Sequence, residues 1–302
     1  MRNAITRSGY LMEQRVFRVI EEAGYYVETN PAFPDPSTGK SREFDFGAIT
    51  ASKLFREDFD FLFTNLIGEC VNNTQPLVFF LAETPIDFTF HADIKCAGIP
   101  LYLPDPMYKD SEMSFQDFFH LDKFHHYCHG TYSTQYCSFR QKSGKSHEWM
   151  AWHDDEHHGV FNSLVEATKY NVDEYFTDWS PPKKDEEEAV NLNLFYPVLI
   201  LHEDLYVCRQ TEGRISLRKQ NHIQFRKSVI SGYERDTFQI DVIVESFVPK
   251  YLDLLERENE ALVRRLRRKK KDVLEAIDYI VVKARRSMRQ KKTKSYKEIL
   301  EF

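Results

Sequence analysis

Two carboxylates set inside apolar runs are where chemistry is most readily read in this chain. Asp45 lies in Arg42-Glu43-Phe44-Asp45-Phe46-Gly47-Ala48-Ile49, and Glu69 in Leu66-Ile67-Gly68-Glu69-Cys70-Val71. A carboxylate on the core of a sheet is costly to desolvate unless it is paired or holds a cation. Two of them on neighbouring strands point to a divalent-cation site with oxygen ligands. The plainer alternative is a strand-end carboxylate pair satisfied by Arg42 and a backbone amide.

The elements that must carry these residues follow from apolar spacing. Leu11, Val16, Val19 and Ile20 recur at near-helical intervals and Gly24 is a stop signal, so a helix bearing Glu13 and Gln14 precedes the first strand, at 25–29. Residues 34–40 are dense in turn formers. A second strand is expected over 42–50 and a third within 58–70. Residues 77–81, apolar without alternation, read as a buried edge element covered on both faces. A helix is expected over 153–170, a strand over 194–202 hairpinned with 205–209, and another strand over 238–244. The tail is expected as one long helix over 249–289, with Leu255, Leu262, Leu266, Val273, Ile277, Ile280 and Ala284 as a heptad-like seam.

This order of helix, strand, Asp, strand and Gly-Glu-Cys before Pro76-Leu77-Val78-Phe79-Phe80 resembles the PD-(D/E)xK nuclease superfamily, over roughly residues 9–81. The resemblance implies an α/β (α+β) chain with a restriction-endonuclease-like mixed central sheet flanked by helices. It also implies Mg²⁺ (or Mn²⁺) held by Asp45 and Glu69, with Glu13 in support, and hydrolysis of nucleic acid, DNA above all. Position 71 holds valine where the family places its lysine. A polar group from elsewhere would have to replace it, from Gln14, Asn72, Asn73, Lys95 or Lys40. Otherwise the domain binds nucleic acid without cutting it.

The histidines invite a zinc reading. His153 and His157, like Asp154 and His158, are spaced i, i+4 and share a helix face. His153-Asp154-Asp155-Glu156-His157 has Asp where a metalloprotease helix needs its general base, so a polar helix start is the better reading. Cys128, His129 and Cys137 lack finger spacing, and the aromatic-rich stretch around 118–129 reads as core.

Composition bounds the rest. The 302 residues are 42% hydrophobic and 14% aromatic, enough for a large core, and are expected as a nuclease-like body over 1–247 and a basic helical extension over 248–302. The net charge of −6 is uneven: residues 248–302 carry 17 Lys+Arg against 9 Asp+Glu. Arg264, Arg265, Arg267, Arg268, Lys269, Lys270 and Lys271 are a candidate nucleic-acid surface, or else a solvated helix face. The seam beside them suggests a homodimer, docking onto the acidic body, or a coiled-coil scaffold. Five scattered cysteines without a CxxC pair, no secretory leader and no membrane-length apolar run place the protein in the cytoplasm.

Overall fold

The computed structural model describes residues 9–289 except 36–37, 57, 74, 83–85, 87, 99, 109–110, 143–147, 153–154, 179–187 and 232–233. Helix α1, Tyr10–Glu22, turns Met12, Val16 and Ile20 inward, while Leu11 is exposed. The buried stripe thus runs at strict i, i+4 spacing, one residue away from the Leu11 start expected. Strand β1, Tyr26–Thr29, follows.

Next, β2, Ala32–Pro34, and β3, Ser41–Glu43, form a separate two-stranded ribbon, and β4, Phe46–Lys53, joins the main sheet. The strand expected over 42–50 is therefore interrupted. Phe44 and Phe46 would share a face in a continuous strand. They are buried in opposite hydrophobic clusters instead, so the chain turns over at Asp45.

The remaining elements are β5, Phe61–Val71; β6, Leu77–Leu81; β7, Lys95–Gly98; β8, Tyr102–Pro104; β9, Glu112–Ser114; a one-turn helix α2, Phe115–Phe118; β10, Tyr132–Gln141; β11, Trp149–Trp152; and α3, Asp155–Asp178. Then come β12, Asn191–Leu201; β13, Leu205–Thr211; β14, Arg214–Lys219; β15, His222–Ser231; β16, Glu234–Val244; α4, Val248–Arg268; and α5, Lys270–Arg289.

The main sheet is mixed, ordered β1-β4-β5-β12-β16-β15-β10-β6-β13-β14, with β11 on β10 and β7 on β12. β4 pairs antiparallel with β5, which runs parallel to β12 and it to β16. β6 is interior, between β10 and β13, rather than an edge. β13 does not hairpin with β12. His202 N donates to Val71 O and Leu77 N to Asp204 O, and left-handed Asp204 (φ 58°) turns the chain onto β6.

Side-chain alternation along β5 and β12 builds two cores. Leu62, Leu66, Leu192, Leu194, Tyr196, Val198 and Ile200 face α1, α4 and α5. Ile67, Leu199 and Leu201 face Phe161, Leu164 and Val165 of α3.

The tail is two helices, broken at Lys269, whose amide bonds the carbonyls of Arg265 and Leu266. Its seam residues Leu255, Leu262, Leu266, Val273, Ile277 and Ile280 are buried in the same cluster as α1 and β5. The seam is thus covered by the chain's own sheet, and no second copy is needed to bury it. Among the described residues no helix is long and apolar enough to cross a membrane.

Candidate functional site

The sequence places Asp45 one residue before β4 and Glu69 near the end of β5, and the register Phe46↔Gly68 brings them together. Gly68 makes this approach possible. A Cβ there would meet the Phe46 ring at 2.0 Å, so only glycine lets that ring lie across the neighbouring strand. The Cys70 amide donates to Asp45 Oδ2 at 2.7 Å. The two carboxyl groups are hydrogen-bonded to one another, which requires a shared proton.

Electrostatics follow from that contact. Burial, then the charge of Asp45, pushes Glu69 up to about 8, while Ser163 of α3 and Arg42 pull the other way. Burial also raises Asp45, offset in part by the Cys70 amide and Glu69. Glu13, half-buried on α1, is raised by burial and by Asp45. Three acids thus converge at one end of β5, two in direct contact and one within electrostatic reach. All three remain partly open to solvent.

Among the groups expected to stand in for the missing lysine, none is seen to reach the pair. Lys95 is ion-paired with Asp236 and sits 4.3 Å from the Phe238 ring centroid. It aligns with Phe195, four residues along β12 from the Leu199 beside Glu69, or about 13 Å. Asn73 is tied to the carbonyls of Gln75 and Glu203. Lys40 and Gln14 are exposed, and Asn72 lies beside Gly9 at the start of α1. Val71 faces the α3 side with Glu69 and packs against that core. Arg42 is the cation that acts on the pair, but its guanidinium bonds Glu166 of α3 and, at 3.4 Å, Asp35.

Beside the acids, at the ends of β12 and β16, Glu245 accepts from Arg15 at 2.6 and 2.9 Å and contacts His202 Nδ1 at 3.0 Å. These groups line a cleft of about 480 Å³ with Arg18. Sequence spacing gave no sign of this group, since Arg15 and Glu245 stand 230 residues apart.

A second polar centre is buried under α4. His126 presents Nδ1 to both Glu258 oxygens (3.1 and 3.0 Å) and Nε2 to both Asp241 oxygens (3.2 and 3.1 Å). Tyr127, Tyr251 and His222 also bond Asp241. Burial opposes the charge on His126, yet Asp241 and Glu258 outweigh it and push His126 up to about 10. His125, Nδ1 of which accepts the Tyr127 amide, is held neutral by burial, down to about 4. His125, His126 and Glu258 could hold a metal ion by their spacing. The bonds present satisfy both nitrogens of His126 as a cation between two anions, an ionic latch joining β16 to α4. The zinc reading at His153, Asp154, His157 and His158 lies outside the described residues or side chains.

The cationic run of the tail is largely engaged with the protein itself. Arg265 lies 4.1 Å from the Phe124 ring, Arg267 donates to the carbonyls of Lys53 and Leu54, and Lys269 and Lys270 sit over Phe118 and Phe55. Arg264 pairs with Glu260 and Lys271 with Glu275, whereas Arg268 is exposed. Comparison of the chain with known protein families, curated proteins and solved structures finds no match.

Proposed function

We propose that this protein is a metal-dependent phosphodiesterase of the PD-(D/E)xK type acting on nucleic acid, with DNA as the first substrate to test. The observation that carries the reading is the direct contact of Asp45 and Glu69 across β4 and β5. The helix-first order, the antiparallel β1-β4-β5 run and the parallel β12 beside β5 agree with a restriction-endonuclease-like core. The residues fit a hard divalent cation. They offer carboxylate oxygens, and a proton held between two acids occupies the place where a cation would relieve their repulsion.

In this reading Asp45 and Glu69 would hold Mg²⁺ or Mn²⁺, and Glu13 would steady the shell from α1. The ion supplies Lewis acidity toward the scissile phosphate and lowers the pKa of an attacking water. The Cys70 amide fixes the Asp45 carboxylate, and Ser163 orients Glu69. Arg42, the cation that already acts on Glu69, would be the side chain to meet developing negative charge.

A second reading is a nucleic-acid-binding or sensing domain on the same scaffold that does not cut. Val71, packed in the α3-side core where a catalytic lysine would emerge, favours it. The two are separated by incubating plasmid and oligonucleotide DNA with Mg²⁺ or Mn²⁺ and the parent, Asp45→Ala, Glu69→Gln or Val71→Lys. Cleavage lost in the first two variants supports the enzyme. An inactive parent with activity in Val71→Lys supports the silent domain.

A further inference from the structure

The largest unspent positive charge among the described residues lies on the β13–β14 hairpin, away from both the acids and the tail. The register pairs Val207 with Arg218, Arg209 with Ser216 and Thr211 with Arg214. Directly opposed residues share a face, so Arg209, Arg214 and Arg218 project on one side and Ile215 and Leu217 on the other. Arg214 and Arg218 are each diagonal neighbours of Arg209, about 7–8 Å apart. None of the three makes an ion pair among the described residues, whereas Lys219 next in the strand is held by Asp204 at 2.9 Å. Three cations on one exposed face with no counter-ion among the described residues favour an anion there.

These arginines line a groove of about 550 Å³ whose floor is Val207 and Ile223. Glu212, at the hairpin turn, is the carboxylate in its wall. At one end stands His222, whose Nε2 bonds Asp241 at 2.7 Å. A phosphate alone would leave most of this space and the apolar floor unused. A phosphate joined to a flat, partly apolar body uses both.

We propose that the groove binds a phosphate-bearing nucleotide, free or as one unit of a nucleic-acid strand. Phosphate oxygens meet Arg209, Arg214 and Arg218 in bidentate fashion, and the base lies over Val207 and Ile223. The assignment stands apart from hydrolysis at Asp45 and Glu69. Where the ligand is a strand, the groove supplies the affinity that the tail, with most of its cations engaged, does not.

The test is fluorescence anisotropy of a labelled single-stranded oligonucleotide, with adenosine monophosphate, adenosine and inorganic phosphate as competitors. It compares the parent, the triple variant Arg209→Gln/Arg214→Gln/Arg218→Gln and the tail variant Arg264→Gln/Arg268→Gln. All substituted arginines are exposed, and circular dichroism should match the parent. The triple variant is expected to bind at least tenfold more weakly and to lower the salt slope by about 2, at roughly 0.7 per single-strand phosphate contact. The tail variant should bind as the parent does. Competition by the mononucleotide but not by adenosine identifies a free nucleotide as sufficient; binding of the oligonucleotide alone identifies a strand. Arginine-dependent binding without any cleavage would keep this inference and remove the nuclease reading. No binding of any probe, parent-like binding by the triple variant, or loss of binding in the tail variant would overturn it.

Discussion

At the scale of single residues, the proposed cation site at Asp45 and Glu69 turns on the proton the two acids share. Glu69 is raised from 4.5 to about 8, so its ionisation penalises the folded, metal-free state. The penalty is absent below about 4.5, grows as pH rises, and is complete above about 8. Glu69→Gln is therefore expected to raise the melting temperature of the metal-free protein at pH 8 while abolishing cleavage. Below pH 8 an incoming Mg²⁺ must displace the proton. Calorimetry in buffers of different ionisation enthalpy should find about one proton released per ion at pH 7, with affinity falling roughly tenfold per pH unit below that. Gly68→Ala would drive its methyl into the Phe46 ring, at an expected cost of about 1–3 kcal/mol in chemical denaturation. Phe46→Leu should recover part of that loss. Both acids were legible in the sequence because each is a lone charge within an apolar run. Arg42 was legible too, as the neighbouring cation that could satisfy the pair; Ser163 was not, since it reaches Glu69 from a distant helix, which no local spacing encodes.

At the scale of elements, the latch between β16 and α4 makes a testable demand. His126 is raised from 6.5 to about 10, so its contribution is fully present below pH 6.5 and lost as pH climbs toward 10. Urea midpoints should fall across that window. Glu258→Gln should cost on the order of 3–5 kcal/mol, because it strips one counter-charge from a buried ion, and should flatten the slope. The sequence registered the region as dense in histidine and aromatics but without a period. That is what a latch on a 3-10 turn (His126–Cys128) and two remote elements produces. Some long elements read well, since α1, β5 and β12 carry enough alternation or helical spacing to declare themselves, whereas β10 and β15, of ten residues each, were not expected. The ribbon of β2 and β3 has three residues per strand, too few for a pattern, and β13's choice of β6 over β12 is made by a turn.

At the scale of the whole molecule, an acidic body and a basic tail meet in one core. Arg265 and Arg267 anchor α4 to carbonyls of His120, Lys53 and Leu54, so part of the charge asymmetry is resolved internally. Deleting residues 248–302 is expected to unfold the rest or leave a species that binds hydrophobic dyes, as Leu62, Leu66 and Leu194 lose their cover. A folded body after that deletion, seen by circular dichroism and size exclusion, would sink this account and restore the tail as an independent appendage.

The covering of β5 by α4 also fixes when the protein can finish folding. Thr64 meets Asn259 across 195 residues of chain, and β5 must wait for β12, whose Asn191 pairs with Phe61 from 130 residues further on. A nascent chain therefore emerges with Leu62, Leu66 and both acids in place and neither side of its central strand closed. Contacts of such long range form slowly. The newborn protein must spend the interval with its stickiest surface bare, a natural client for chaperones until α4 and α5 leave the ribosome.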